Sequence, residues 1–340
     1  MVSRQRLRSW LMNKTFKLFG GYLNASTLFL LLGMLGLTGC VHLYQKTAVR
    51  SAEPLPEAVA SAFNNTFTNS PKSDEKLIEV HGRYAQRRVE LSFADSFASS
   101  NIVIDYYQLR NTKTPSPVIV LLPISGGNYE IESYFARYFA RHGLAVALVR
   151  RHELDDQTPT PLAIESWLKQ KITNNKRVLD WIQTRDELDQ ERIGLFGISM
   201  GGIQAALLAP LDPRIKAATF GLAAGDLPFV LAHSTEKTIV RHRAKYLREH
   251  QINIVEFQNQ LAKAISYDPI LLAPYMDPKK VLIVLGMCDT VVPFAKGWEL
   301  RQKLGRPETV LVPTGHYTAL LCVPYIKSCC LGFFRRHLDL

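Results

Sequence analysis

The sequence predicts an α/β protein: a mostly parallel, doubly wound sheet with one helical cap insertion. Three observations lead there. Short continuous apolar runs recur along most of the chain, as they do in strands buried on both faces. Segments with helical apolar spacing separate most of these runs, and that alternation specifies a parallel sheet covered on both sides. One stretch of about sixty residues, between Phe220 and Val281, breaks the alternation; it far exceeds the usual connection of roughly two to six residues and needs structure of its own.

The elements follow in order. Arg4, Arg6, Arg8, Lys14 and Lys17 precede the apolar run Leu28–Leu37 with no acidic residue among them. The run is too short to span a bilayer, which takes about 20 residues, and reads as the core of an export signal. It ends in Leu37-Thr-Gly-Cys40, which resembles the lipobox of bacterial lipoproteins. The resemblance implies a signal peptide over 1–39, cleavage before Cys40 and acylation of that cysteine. Several acyl chains hold a protein on a membrane where one releases it. The resemblance places the chain on the bacterial cell envelope, and Val41 in place of an aspartate implies, for a Gram-negative cell, the outer membrane with the domain facing the periplasm. From 40 to 75 the chain is rich in Ser, Asn, Thr and Pro without a sustained period, and reads as the lipidated N-terminus and a flexible tether.

A globular domain is expected over 76–340. Arg88 to Phe93 and Ile102 to Leu109 suit an opening antiparallel pair. Val118 to Pro123 is a buried strand, Tyr134, Phe135, Tyr138 and Phe139 have helical spacing, and Ala145 to Val149 is the next strand. A long helix follows over Ile164 to Ile182, then strands at Ile193 to Phe196 and Ala217 to Phe220. Phe257, Leu261, Ala264 and Ile265 share one helical face, so the insertion reads as a helical cap over 226–275. Val281 to Leu285 and Val310 to Val312 complete the strands.

Composition removes some classes of function. The chain carries 41 basic and 30 acidic residues, a net charge of +11. Without the five leader cations 36 basic residues remain, an ordinary solvated surplus with no basic-aromatic arm to follow a phosphate backbone, so no nucleic-acid partner is expected. Cys288, Cys322, Cys329 and Cys330 form no Cys-x-x-Cys pair with partner histidines, so no zinc site is expected; they read as buried thiols.

The chemistry gathers at Gly197-Ile-Ser-Met-Gly201. An apolar strand precedes it and a strong helix-forming run follows, the context that a G-x-S-x-G nucleophile elbow requires. Glycines on both sides let strand and helix approach closely, and the turn lifts Ser199 over a helix N-terminus. Asp289 leaves the strand Val281 to Leu285, whereas Asp212, Asp268 and Asp277 precede prolines and read as turn or cap residues. His316 follows the strand Val310 to Val312; His337, in a terminal Phe333-Phe-Arg-Arg-His337 segment, reads as a helix-end residue. The order nucleophile, acid, base, with acid and base each after a strand, points to acyl transfer.

On Gly197-Ile-Ser-Met-Gly201, Gly286-Met-Cys-Asp289 with Val291-Val-Pro293, and Gly315-His316-Tyr317, the stretch from Glu79 to Leu340 resembles the α/β-hydrolase superfamily, in particular its dienelactone-hydrolase and acetyl-xylan-esterase-like branches. The resemblance implies Ser199 as nucleophile, His316 as general base and acid, and Asp289 as orienting acid. It implies an oxyanion hole with Met200 as one amide and, from Ser125-Gly126-Gly127 where many relatives carry His-Gly-Gly, Gly127 or else Gly126 as the other. The expected activity is hydrolysis of a small-molecule or lipid ester without a cofactor or metal. The rivals are a peptidase or lipase of the same fold, and a non-catalytic envelope protein that binds a partner.

Overall fold

A computed structural model describes residues 39–44, 50–63, 71–93, 101–151 and 160–340. The chain divides into two compact units, Met1–Cys40 and Val41–Leu340. The signal peptide expected over 1–39 lies outside the described residues except for Gly39.

The second unit opens with β1 (Val41–Leu43), α1 (Glu57–Phe63), β2 (Lys72–Val80), β3 (Tyr84–Ser92) and β4 (Ile102–Leu109). Alternation follows in β5 (Ser116–Leu122), α2 (Glu130–Arg141), β6 (Ala145–Val149), α3 (Pro161–Ile182), β7 (Leu188–Ile198), α4 (Met200–Leu208) and β8 (Ile215–Gly221). The long insertion holds α5 (Leu227–His233), α6 (Lys237–His250), α7 (Ile254–Ala264) and α8 (Pro269–Leu272). The chain closes with β9 (Val281–Gly286), α9 (Phe294–Lys303), β10 (Glu308–Val312) and α10 (Val323–His337).

Among the described residues the strands join one sheet in the order β1-β10-β9-β8-β7-β5-β6-β4-β3-β2. The six from β10 to β6 are parallel; β1 at one edge and β4, β3 and β2 at the other are antiparallel. Every residue of β5, β6 and β9 is buried, the burial that a sheet wound on both faces imposes. Side chains alternate between two cores. Val118, Val120, Leu195, Phe220 and Ile283 pack with Leu168, Ile172 and Trp181 of α3 and with Leu207 of α4. On the other face Phe196 meets Phe135 and Phe139 of α2 at ring distances of 4.8 and 5.3 Å, and Phe139 meets Phe334 of α10 at 5.7 Å. Burying each such ring stabilises the fold by roughly 1.5–3 kcal/mol.

Local sequence sets the helix ends. Thr160 caps α3 by accepting from the Ala163 amide at 3.2 Å, with Pro161 in the first turn. Asn253 and Glu256 form a reciprocal capping box at α7. The buried Asp268 carboxylate accepts from the amides of Asp226, Leu227 and Ile270, so one side chain ties the start of the insertion to its end.

The reading of 40–75 as a flexible tether is corrected over its described part. Val41–Leu43 pairs with β10, and His42 Nε2 lies 2.7 Å from Glu308 Oε1. Arg50 donates to the carbonyls of Ala273, Pro274 and Lys303, and Phe63 of α1 is buried against Tyr267 with ring centroids 4.7 Å apart. The anchors are single residues in a polar background, so no periodic run announces them. β2 is likewise polar and exposed along most of its length, as an edge strand can be, which hides it from an apolar pattern. The thiols also divide: Cys330 is buried, as expected, but Cys288 is exposed because it sits in the loop leaving β9.

Candidate active site

The site begins where β7 turns into α4. Ser199 has φ 57° and ψ −124°, a strained conformation for a residue with a Cβ. The turn is possible because glycines flank it. A Cβ on Gly197 would lie 2.1 Å from the Gly201 carbonyl oxygen, and one on Gly201 would lie 2.3 Å from the Leu122 carbonyl oxygen. The Ser199 amide donates to the Gly221 carbonyl at 2.8 Å, and the Ile203 amide donates to the Ser199 carbonyl at 3.0 Å. The hydroxyl therefore stands at the C-terminal end of the parallel strands, above the N-terminus of α4. Met200 is the first residue of that helix, where amides have no intrahelical acceptor.

The sheet brings two distant residues to it. His316 Nε2 lies 2.9 Å from Ser199 Oγ, across 117 positions of sequence, and His316 Nδ1 lies 2.7 Å from Asp289 Oδ2. The second Asp289 oxygen, Oδ1, accepts from the amides of Val291 and Val292, each at 2.9 Å. The Asp289 side chain is only 2% exposed, so these partners are what a buried carboxylate requires. An acceptor-only carboxylate at Nδ1 places the imidazole proton there, which leaves the Nε2 lone pair facing the Ser199 hydroxyl. Two backbone bonds knit the acid and base loops: the Met287 amide donates to Val312 O at 2.9 Å and the Cys288 amide to Thr314 O at 3.1 Å.

The loop after β5 faces the same turn, since Gly201 packs on Leu122 and Pro123. Gly126 and Gly127 have φ of +70° and +81°, left-handed conformations that suit glycine. Two residues without a sequence signal hold this loop. Glu132 Oε1 accepts from the Ile124 amide at 3.2 Å and from Arg151 Nη1 at 3.0 Å. Arg151 also donates to the carbonyls of Ile124 and Gly127, and its own amide donates to Tyr129 Oη at 2.6 Å. Burial raises the Glu132 pKa above the ordinary carboxylate value, against the opposing pull of Arg151 and the Ile124 amide. The Ile124 amide is thus occupied, and the candidate oxyanion donors of this loop lie beyond it at Ser125 to Gly127.

Other aromatic and basic side chains have structural or surface positions. Phe139 belongs to the core, while Tyr134 Oη accepts from Lys327 Nζ at 2.6 Å. Arg243 of the basic helix α6 donates to the carbonyls of Leu231 and Ser234, a structural role, whereas Arg241, Lys245 and Arg248 are exposed. His337 ends α10, as its sequence context suggests.

No family model matches the chain. An uncharacterized protein of Mycobacterium tuberculosis (strain H37Rv) is 30% identical over 148 residues, covering 43% of this chain and 33% of that protein. Esterase FrsA of Vibrio cholerae is 29% identical over 140 residues, covering 39% and 30%. The chain thus spans about a third of the length of the curated relatives it matches. Among solved structures, an acetyl xylan esterase from Paenibacillus sp. R4 superposes with a TM-score of 0.62 at 20% identity, over 83% of this chain and 100% of that one. Acetyl xylan esterase 1 from Thermoanaerobacterium sp. JW/SL YS485 gives 0.61 at 16% identity, over 85% and 95%. In sheet order, in the turn that carries Ser199 and in its likeness to these structures, the chain has the fold of the α/β hydrolases, and esterases are among the proteins it resembles.

Proposed function

We propose that the chain is a serine hydrolase of carboxylic esters, held on the cell envelope by an acylated Cys40. The observation that carries the catalytic half is the unbroken path of hydrogen bonds from Asp289 through His316 to Ser199. In the proposed reaction Ser199 Oγ attacks the ester carbonyl carbon while His316 Nε2 takes its proton. Asp289 keeps the imidazole in the required tautomer and stabilises the imidazolium. The carbonyl oxygen becomes an oxyanion, which the Met200 amide and an amide of the Gly126–Gly127 pair stabilise, each donor being worth roughly 2.7–4 kcal/mol. Collapse expels the alkoxide or phenoxide, which takes the proton from His316, and leaves an acyl-serine. Water then repeats the sequence and releases the acid.

Two comparisons support an ester as substrate: the solved neighbours named acetyl xylan esterases and the relative named Esterase FrsA. The envelope half rests on the basic leader, the apolar run Leu28–Leu37 and Leu37-Thr-Gly-Cys40. Labelling with a fluorophosphonate probe and turnover of p-nitrophenyl acetate test the catalytic half. Both are expected in the natural chain and neither in Ser199→Ala; labelling that persists in Ser199→Ala excludes Ser199 as the nucleophile. Metabolic incorporation of a labelled fatty acid, lost in Cys40→Ser, tests the anchor.

A further inference from the structure

We propose that the end of the sheet bearing Ser199, Asp289 and His316 faces a phospholipid bilayer, and that the site takes acyl esters resident in that membrane. The inference rests on the hydrolase and membrane-attachment readings above and adds an orientation that neither contains. β1 runs antiparallel to β10 with Val41 opposite Leu311 and Leu43 opposite Thr309, so its first residue lies at the C-terminal end of β10. That is the end from which His316 emerges, four positions after Val312. Cys40 is joined to Val41 by one peptide bond, a Cα step of about 3.8 Å. Val41, with the peptide bond that joins it to Cys40, therefore stands at the rim of the candidate site. This holds whether Cys40 carries acyl chains or the apolar run itself enters the membrane.

The strand order fixes the lateral distance. From β1 to β7 are four steps through β10, β9 and β8, roughly 19 Å at the usual strand spacing. The segment after β10 crosses three of those four steps to bring His316 to Ser199. With no slack chain between residue 40 and the sheet, membrane attachment draws this rim to the lipid surface.

The rim also has the composition for it. Val41, Met287, Tyr317 and Leu321 are 42%, 39%, 60% and 45% exposed, and all four lie at the start of β1 or in the segments that follow β9 and β10. The start of α6 belongs to the same surface, since Thr235 Oγ1 lies 3.0 Å from Thr290 Oγ1 beside Asp289. There Val240 is exposed, with Lys237 and Arg241 one helical turn apart as cations for anionic headgroups. At the opposite end of the sheet the arginines are engaged within the fold: Arg192, at the base of β7, donates to the carbonyls of Leu338, Asp339 and Pro115, and Arg83 of the β2–β3 turn donates to Arg141 O.

Two arms test the orientation with the full-length chain on vesicles of phosphatidylethanolamine and phosphatidylglycerol. In the first, Tyr317→Trp and Leu321→Trp report contact through quenching by bromine-labelled acyl chains, with Leu340→Trp at the opposite end as control. Added emission that is quenched at 317 and 321 but not at 340 is expected. Equal quenching at all three positions, quenching at 340 alone, or failure of the chain to associate with the vesicles overturns the proposal. In the second, a Gly/Ser linker of about 20 residues, with a root-mean-square span near 25 Å, is inserted between Cys40 and Val41. Hydrolysis of a vesicle-embedded fluorogenic long-chain ester is expected to fall at least about five-fold, while turnover of dissolved p-nitrophenyl acetate stays unchanged. Undiminished hydrolysis of the embedded ester overturns the proposal and leaves the hydrolase reading standing. No turnover of p-nitrophenyl acetate by either chain sinks the hydrolase reading instead, and the quenching arm still decides the orientation.

Discussion

Asp289 divides its two oxygens between His316 and the backbone: Oδ2 meets Nδ1 at 2.7 Å, and Oδ1 accepts from the amides of Val291 and Val292. The carboxylate is therefore positioned before it orients anything. Asp289→Asn keeps an acceptor for the two amides but presents an N–H donor to Nδ1, which moves the imidazole proton to Nε2 and removes the base. We expect kcat on p-nitrophenyl acetate to fall about 10⁴-fold with the thermal midpoint nearly unchanged. A kcat within ten-fold of the natural chain would show that Asp289 does not set the tautomer.

Ser199 holds φ 57° and ψ −124° for the sake of its hydroxyl. Glycine adopts that conformation without a Cβ penalty, whereas alanine retains it. Ser199→Gly is thus expected to be more stable than Ser199→Ala by roughly 1 kcal/mol, with both inactive, in urea denaturation monitored by circular dichroism. Equal stability of the two variants would count against strain at this turn.

Gly201 lets α4 pack directly on the backbone at the end of β5. Because its added Cβ would meet the Leu122 carbonyl at 2.3 Å, Gly201→Ala must push the helix away from the sheet. The expected cost is about 3 kcal/mol or more, read as a lower denaturation midpoint, together with loss of probe labelling at Ser199. A variant that labels at the natural rate would mean the elbow tolerates the shift.

Glu132 gives a pH dependence of defined sign. Its pKa is raised by burial in the folded chain, so the folded state binds more protons than the unfolded state between the unfolded and folded pKa values. Its contribution to stability is then greatest at acid pH and declines as pH rises through the folded pKa. Glu132→Gln removes that decline while retaining an acceptor for Ile124 and Arg151. The midpoint of the variant minus that of the natural chain is expected to increase from about pH 4 to pH 7. A difference that is flat or falls with pH contradicts the burial effect.

Much of the framework is legible in the order of residues because it is local. The runs Val118 to Pro123, Ala145 to Val149 and Val281 to Leu285 announce buried strands, and the observed elements extend them by a few residues at most. Ser199, Asp289 and His316 could be singled out because each follows such a strand, and strands of a parallel sheet end on one side. The loop clamp of Glu132 and Arg151 could not. Their 19-position separation matches no helical or strand period, and the part-buried ion pair forms because β6, which Arg151 follows, lies beside β5, which leads to α2 and Glu132.

The sequence by itself determined the α/β alternation and the strand–turn–helix around Ser199, since periodicity and turn chemistry act over a few residues. Tertiary structure alone decided the rest: the 2.9 Å approach of His316 to Ser199, the occupation of the Ile124 amide by Glu132, and the pairing of Val41–Leu43 with β10. Each of these depends on long-range packing, and the energy that selects it comes from burying apolar faces far apart in the chain, which no short window of residues encodes.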